Sequence, residues 1–199
     1  MNIRDAVTDD AAGIAHIYND AVAHTTAIWN TTLVDIDDRR NWLTERQRAG
    51  FPVLVAVDGD EVLGYATYGP YRPYDGFRLT VEHSIYVRDG LRGKGIGGSL
   101  LAELIARARA ARLHVIVAGI DAANSGSIRL HERYGFSQVG LLKEVGTKFG
   151  SWRDLAFLQL TLDRADPTAD PNEATGDRHT GQAERAANDT QHGGDLAEQ

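Results

Sequence analysis

Hydrophobic and polar positions along residues 1–162 follow two periods, and these periods predict a mixed α/β domain. Apolar residues recur at three- to four-residue spacing in four segments, which indicates amphipathic helices. Shorter apolar runs bounded by Gly, Pro or Asp are typical of strands. The predicted order is β-α-α-β-β-β-α-β-α-β-β, with strands at Asn2–Ala6, Pro52–Val57, Glu61–Tyr68, Leu79–Val87, Val115–Ile120, Phe136–Leu142 and Leu155–Leu162.

Capping signals mark the ends of the predicted helices. The run Thr8–Asp10 offers side-chain acceptors to the first N–H groups of a helix. Asp35 or Asp37 is the predicted cap of a second helix, which reaches about Ala49 and ends before Gly50. The third and fourth helices are predicted over Gly97–Arg112 and Ser125–Arg133.

The last part of the chain differs sharply in composition from the rest. Residues 163–199 contain nine of the 28 acidic residues and three of the 21 basic residues, which leaves 19 acidic and 18 basic residues in 1–162. This segment has no aromatic residue and one large aliphatic residue, Leu196, so it cannot build a core. We therefore expect a folded domain at 1–163 and an acidic, disordered tail at 164–199.

Composition excludes several classes of function. The near-neutral domain lacks the basic surplus that duplex nucleic acid requires. The chain has no cysteine, which excludes a thiolate nucleophile and a disulfide framework, and its histidines show no metal-ligand spacing. No apolar stretch approaches the roughly 20 residues of a membrane span, and the N-terminus has no apolar signal region. We expect a cytoplasmic protein that binds neither metal, membrane nor nucleic acid.

A glycine-rich loop between Ser84 and Ser99 is the main candidate for ligand binding. The sequence SIYVRDGLRGKGIGGS runs from an apolar strand into an amphipathic helix. Glycines leave backbone N–H groups uncovered, and the start of the helix adds a positive dipole end. The loop is therefore predicted to hold a phosphate group, with added charge from Arg92 and Lys94.

Two other phosphate motifs fit this loop less well. Gly93, Gly95 and Gly98 match the dinucleotide pattern, and Asp121 stands where a ribose-binding acid is expected. In that fold the first glycine follows its strand almost directly, whereas five residues intervene here. A P-loop fits still less well because Lys94 is followed by glycine instead of Ser or Thr.

The order Arg92-x-x-Gly95-x-Gly97, together with the segment Asn124–Phe136, resembles the GNAT N-acetyltransferase superfamily. The resemblance covers residues 2–162. It implies an α/β fold whose mixed, mostly antiparallel sheet is flanked by helices and splayed between strands 4 and 5, where acetyl-CoA enters.

Five further segments resemble the phosphinothricin and methionine sulfoximine/sulfone N-acetyltransferase branch. This resemblance implies direct acetyl transfer to the α-amine of a small amino-acid analogue by a homodimer. In two of these segments, Tyr71–Arg78 and Thr80–Asp89, the residues are more similar to the methionine sulfoximine/sulfone enzymes than to the phosphinothricin enzymes. The segments are Thr25–Asn30, Gly64–Gly69, Tyr71–Arg78, Thr80–Asp89 and Lys148–Leu155.

The chemistry needs a base for the amine and an acid for the departing thiolate. Glu82 is the implied base, and a salt bridge to Arg72 or Arg78 is its alternative role. His131 stands where most of the superfamily has a tyrosine acid, and a purely structural histidine is the alternative.

The resemblance also implies the binding residues. The expected cofactor contacts are the backbone of Ile85, Tyr86 and Val87, the loop residues Arg92, Gly93, Lys94, Gly95, Ile96, Gly97 and Gly98, and Asn124, which is also a good helix cap. The acceptor is expected to meet Arg72 or Arg78 through its carboxylate, Pro73, Tyr74 and Phe77 through its side chain, and His83 and Ser84 as donors to a sulfone or sulfoximine oxygen.

Three alternative functions stay open at this point. A protein N-terminal acetyltransferase of the same fold needs an open groove, against which the aromatic loop Tyr71–Arg78 argues. A catalytically silent acetyl-CoA sensor and a dinucleotide-binding protein are the other two. Trp29 and Trp152 are candidates for lids, a dimer interface or core packing.

Overall fold

The computed structural model describes residues 1–162, and the acidic tail expected at 164–199 lies outside this range. It contains seven strands and four helices in the predicted order. The strands are β1 Asn2–Asp5, β2 Val53–Asp58, β3 Glu61–Pro70, β4 Thr80–Val87, β5 Val115–Asp121, β6 Ser137–Lys148 and β7 Ser151–Thr161. The helices are α1 Ala11–His24, α2 Ile36–Arg48, α3 Ile96–Ala110 and α4 Ser125–Arg133.

The helix caps follow local chemistry. Asp35, and not Asp37, caps α2 by accepting a hydrogen bond from the backbone of Asp38 at 2.7 Å. Residues 8–10 form a short 3₁₀ turn before α1, and the Asp10 carboxylate accepts from the Val7 backbone and from Arg4. The sequence therefore located the cap of α2, whereas the expected side-chain cap of α1 is absent because Asp10 accepts from Val7 and Arg4 instead of from the helix.

The last two strands are longer than the sequence pattern predicted. We expected β6 to end at Leu142 and β7 to begin at Leu155. Instead, the β6–β7 hairpin continues to a tight turn at Phe149 and Gly150, where φ is 52° and 73°. Most of β6 is exposed on both faces, so no alternation of apolar and polar residues marked its outer half. Backbone pairing with β7 maintains the strand there.

The strands form one sheet in the order β1-β2-β3-β4-β5-β7-β6. All neighbouring pairs are antiparallel except β4 and β5, which are parallel. Their pairing covers only Thr80 to Glu82 against Val115 to Val117, although both strands continue beyond it. The sheet therefore opens between β4 and β5, which confirms the predicted splay.

Helices cover both faces of the sheet. The apolar side of α3, with Leu100, Leu101 and Leu104, packs in the larger core, and α4 lies on the same side. On the other face, Ile14 of α1 and Leu43 of α2 pack in a second core. Since both cores meet the central strands β2 to β4, the gap beside β4 is bounded by helices on both sides. No helix within residues 1–162 combines the length and apolar character needed to cross a membrane.

Candidate active site

The gap between β4 and β5 opens into a cavity of about 1370 Å³. Its walls come from both strands beyond their last paired residues, from the glycine-rich loop and from α4. The sequence missed one wall, which consists of Ile17, Asp20 and Ala21 on α1 and the following Thr25–Ala27. The other lining segments are 83–87, 91–93, 95–98, 118–121, 123–124, 126–127 and 129–134.

The glycine-rich loop presents unpaired donors to this cavity. Gly93 and Gly95 have φ angles of 80° and 86°, which glycine adopts without strain. Gly95 is the N-cap of α3, so the N–H groups of Ile96 to Gly98 begin the helix without helical acceptors. Arg92 lines the same cavity. This arrangement suits a phosphate or diphosphate.

Lys94 lies elsewhere. It lines a separate shallow depression with Asp58, Glu61 and Arg88, instead of the main cavity. Its expected contact with the cofactor therefore has no support from its position.

The start of α4 is fixed by two polar side chains. Asn124 caps α4 by accepting from the Ser127 backbone at 3.0 Å, and it also lines the cavity. The Asp121 carboxylate accepts from Arg153 at 2.7 and 2.8 Å and from the Ala123 backbone at 2.9 Å. Burial opposes ionisation of Asp121, but these hydrogen bonds outweigh it and lower its pKa. Asp121 therefore anchors the turn, which removes the ribose-binding role of the dinucleotide hypothesis.

Two buried histidines meet inside the cavity wall. His83 Nε2 lies 3.1 Å from His131 Nε2, and the rings stack with centroids 5.0 Å apart. His131 Nδ1 lies 2.7 Å from the Ser127 carbonyl oxygen. Burial lowers the pKa of both groups, for His83 well below its usual range. The pair is therefore neutral at neutral pH. No part of the sequence pattern linked residue 83 to residue 131.

Strand alternation separates Glu82 from His83. His83 stacks on α4, whereas Tyr86, which shares the face of Glu82, packs in the cores under α1. Glu82 is half-buried and belongs to the last residue pair of β4 and β5. The cavity wall starts at the next residue. Glu82 thus lies where the gap closes, on the side of α1 and α2.

Arg46 of α2 lies on the face of the sheet that carries Glu82, a position that the sequence did not indicate. Its guanidinium occupies the place where a Cβ on Gly69 would stand. Gly69 pairs directly with Glu82 across β3 and β4, and paired residues share one face of a sheet. The structure therefore brings a cation to the face that carries the predicted base. Helix α2 precedes β4 by more than thirty residues, so no spacing rule could have found this neighbour.

The predicted acceptor loop does not line the cavity. A short 3₁₀ turn, Asp75–Phe77, lies in this loop just before β4. The predicted acceptor residues in and beside this turn, none of which lines the cavity, are Arg72, Pro73, Tyr74, Phe77 and Arg78. Tyr74 is 70% exposed, and Phe77 is 39% exposed. The guanidinium of Arg72 lies 4.8 Å from the Tyr71 ring centroid. The loop thus stands open beside the end of the gap near Glu82.

The β6–β7 hairpin packs against the loop after α1. The Trp29 ring lies over Gly146 and its indole N–H donates to the Thr26 carbonyl at 3.0 Å. The buried Lys148 ammonium donates to the carbonyls of Val22 and Asn30. Trp29 is therefore packed against the hairpin.

Comparison with known proteins agrees with this geometry. Residues 14–136 match the model of the Acetyltransferase (GNAT) family. The chain belongs to this family.

Curated relatives include enzymes named for two related acceptors. An L-methionine sulfoximine/L-methionine sulfone acetyltransferase of Pseudomonas aeruginosa is 58% identical over 81% of this chain and 95% of its own. A phosphinothricin N-acetyltransferase of Streptomyces coelicolor is 38% identical over 81% of this chain and 96% of its own. The GNAT protein described here is likewise an N-acetyltransferase.

Solved structures share its fold and show its cofactor. An acetyltransferase from Salmonella typhimurium, determined with its cofactor acetyl-CoA, is 51% identical with a TM-score of 0.81 over 83% of this chain and 96% of its own. A structure named ribosomal-protein-alanine N-acetyltransferase, from Brucella melitensis, is 54% identical with a TM-score of 0.80 over 81% of this chain and all of its own. Acetyl-CoA is therefore the cosubstrate, and the free N–H groups at the start of α3 suit its phosphates.

Proposed function

We propose that this GNAT enzyme acetylates the α-amine of a small amino-acid analogue, such as methionine sulfoximine, methionine sulfone or phosphinothricin. The observation that carries the proposal is the open gap between β4 and β5, which runs from a phosphate-binding helix start to Glu82. Named relatives at 38–58% identity support the acceptor class.

Glu82 is proposed as the general base. An α-amine is mostly protonated at neutral pH, and a carboxylate at the closed end of the gap takes its proton directly or through a water. Arg46 lies on the same face of the sheet as that carboxylate. Glu82→Gln is expected to lower kcat by 10²- to 10⁴-fold, about the contribution of a general base. An unchanged pH profile of kcat/KM in this variant would show that another group is the base.

The remaining binding roles are assigned to β4, to the glycine-rich loop with the start of α3, and to α4. The backbone of Ile85 to Val87 is proposed to hold the pantetheine arm, while Arg92 and the start of α3 hold the diphosphate. His131 is proposed to lie near the sulfur, and Asn124 beside the arm.

The acceptor loop is proposed to close over the bound amino acid. Arg72 or Arg78 pairs with the carboxylate, and Tyr74 and Phe77 cover the side chain. Their exposure in the open loop is consistent with such closure. Arg72→Ala is expected to raise KM for the acceptor and leave KM for acetyl-CoA unchanged. If neither constant moves, Arg72 is not the clamp.

A homodimer is proposed through the β6 edge of the sheet. This edge strand, its turn and the start of β7 expose an apolar strip, which usually marks an interface. Light scattering should give twice the monomer mass, and the double substitution Val139→Lys and Leu141→Lys should halve it. A monomeric wild type contradicts the proposal. The strip consists of Val139, Leu141, Leu142, Val145, Phe149 and Trp152.

The domain boundary and the location are proposed from composition. The folded domain ends near residue 163, and the acidic tail contributes neither to activity nor to stability. Deletion of 164–199 should leave kcat/KM and Tm unchanged, and a drop in either would assign the tail a role. The absence of cysteine from the chain supports a cytoplasmic location.

One assay compares the candidate functions. CoA-thiol release from acetyl-CoA is measured with methionine sulfone, methionine sulfoximine, phosphinothricin, ordinary amino acids and a short peptide with N-terminal alanine. We expect turnover with the first three. The Brucella relative's name favours the peptide as second candidate, and turnover of the peptide alone would establish it. No turnover with any acceptor would contradict the enzymatic proposal.

A further inference from the structure

The hydrogen bonds of the histidine pair determine where its protons lie. A neutral imidazole has one N–H donor and one acceptor nitrogen. The Ser127 carbonyl can only accept, so His131 Nδ1 carries the proton of that ring. His131 Nε2 is then an acceptor, and the proton between the rings belongs to His83 Nε2. His83 Nδ1 is consequently a bare acceptor.

This acceptor has no hydrogen-bond partner among residues 1–162. His83 Nδ1 is buried, and the whole residue is 6% exposed. Buried polar atoms in proteins are nearly always hydrogen-bonded. His83 also belongs to the cavity wall, and a ligand whose binding shifts this wall offers a donor that residues 1–162 do not supply.

The direction of β4 shows which part of the ligand is near. The phosphate-binding loop follows the end of β4 at Val87, whereas His83 lies at the other end of the gap, next to the last strand pair at Glu82. A cofactor bound through its phosphates therefore brings its reactive end toward His83. The donors available there are the amine of the acceptor and the last amide N–H of the cofactor arm.

We propose that His83 is the imidazole that meets the reacting ligand, and that it accepts a hydrogen bond from a ligand N–H through Nδ1 while His131 fixes its tautomer. This inference rests on the proposed function. It differs from the expectation that His83 donates to a sulfone oxygen, because its only proton points to His131. It also makes His131 a positioning residue, since both of its nitrogens are already hydrogen-bonded within the protein.

The tautomers can be measured without turnover. In ¹⁵N NMR of the free enzyme at pH 7.5, roughly one unit above the ordinary histidine pKa, we expect a protonated Nε2 and a bare Nδ1 for His83. The reverse is expected for His131. A protonated Nδ1 on His83 would overturn the proposal, whatever the outcome of the activity assay.

Ligand titrations in the same spectra identify the donor. A shift of His83 Nδ1 with CoA alone assigns the cofactor amide, and a shift with methionine sulfone alone assigns the acceptor amine. If neither ligand shifts this nitrogen, nor both together, His83 does not contact the reacting ligand and the proposal fails.

Two substitutions separate the acceptor role of His83 Nδ1 from the hydrogen bond between His83 and His131. Asn at position 83 places an amide oxygen near the position of Nδ1 but cannot reach His131, whereas Gln keeps a donor toward His131 and loses the acceptor. We expect His83→Gln to lower kcat/KM by about 10- to 100-fold, the range for a hydrogen bond to a charged group. We expect His83→Asn to lower kcat/KM less than His83→Gln does. The exposed His16→Gln is the matched control. Equal activity of both position-83 variants and the control would overturn the proposal.

Discussion

Lowering the pH from 7 to 5 is expected to destabilise the fold through His83 and His131. Burial lowers the pKa of His83, with a smaller contribution from His131, and burial also lowers the pKa of His131 against the opposing hydrogen bond to Ser127. In the unfolded chain both return to an ordinary pKa near 6.5. Below about that pH the unfolded chain binds more protons than the folded protein, so the stability present at neutral pH is lost as the pH falls.

The size of the effect follows from proton linkage. A histidine that stays neutral in the folded protein costs about 2 kcal/mol between pH 7 and pH 5. The pair therefore costs up to about 4 kcal/mol, a large part of the 5–15 kcal/mol that stabilises a typical domain. The pKa of Asp121 is also lowered, but its contribution to the free energy of unfolding is lost only as the pH falls below about 3.9. Asp121 therefore does not contribute to the change between pH 7 and pH 5.

Urea denaturation at pH 7, 6 and 5 measures this loss. His83→Gln should lose about 2 kcal/mol less than the wild type across this range, since one titrating group is gone. His16→Gln, exposed on α1, should follow the wild type. Equal losses in the wild type and His83→Gln would refute the conclusion that the buried pair is held neutral.

Three glycine substitutions test the packing of the domain. A Cβ at Gly13 of α1 would stand 2.7 Å from the Cβ and Cγ2 of Val62, so Gly13→Ala should destabilise the protein by about 1–3 kcal/mol in urea denaturation. Gly126→Ala, which meets nothing closer than 3.7 Å, is the control and should be neutral or stabilising; similar effects at both positions would contradict the packing. Gly69→Ala displaces only the flexible end of Arg46, so we expect an unchanged Tm and a several-fold lower kcat/KM for the acceptor. A proportional fall in Tm would instead indicate general disruption.

Much of the fold could be predicted because its signals are local. The order of elements and the cap at Asp35 depend on residues within one or two turns of each other. The outer half of β6 was missed because it has no such local signal. Pairing with β7, and not the pattern of its own side chains, keeps it extended.

The sequence alone determined the family, the glycine-rich loop and the position of Glu82 on β4. Those features depend on backbone conformation and on short motifs. Only the tertiary structure decided which side chains meet near the closed end of the gap: it placed Arg46 beside the partner of Glu82, and it joined His83 to His131. Such contacts depend on how distant elements pack in three dimensions, so spacing along the chain could not specify them.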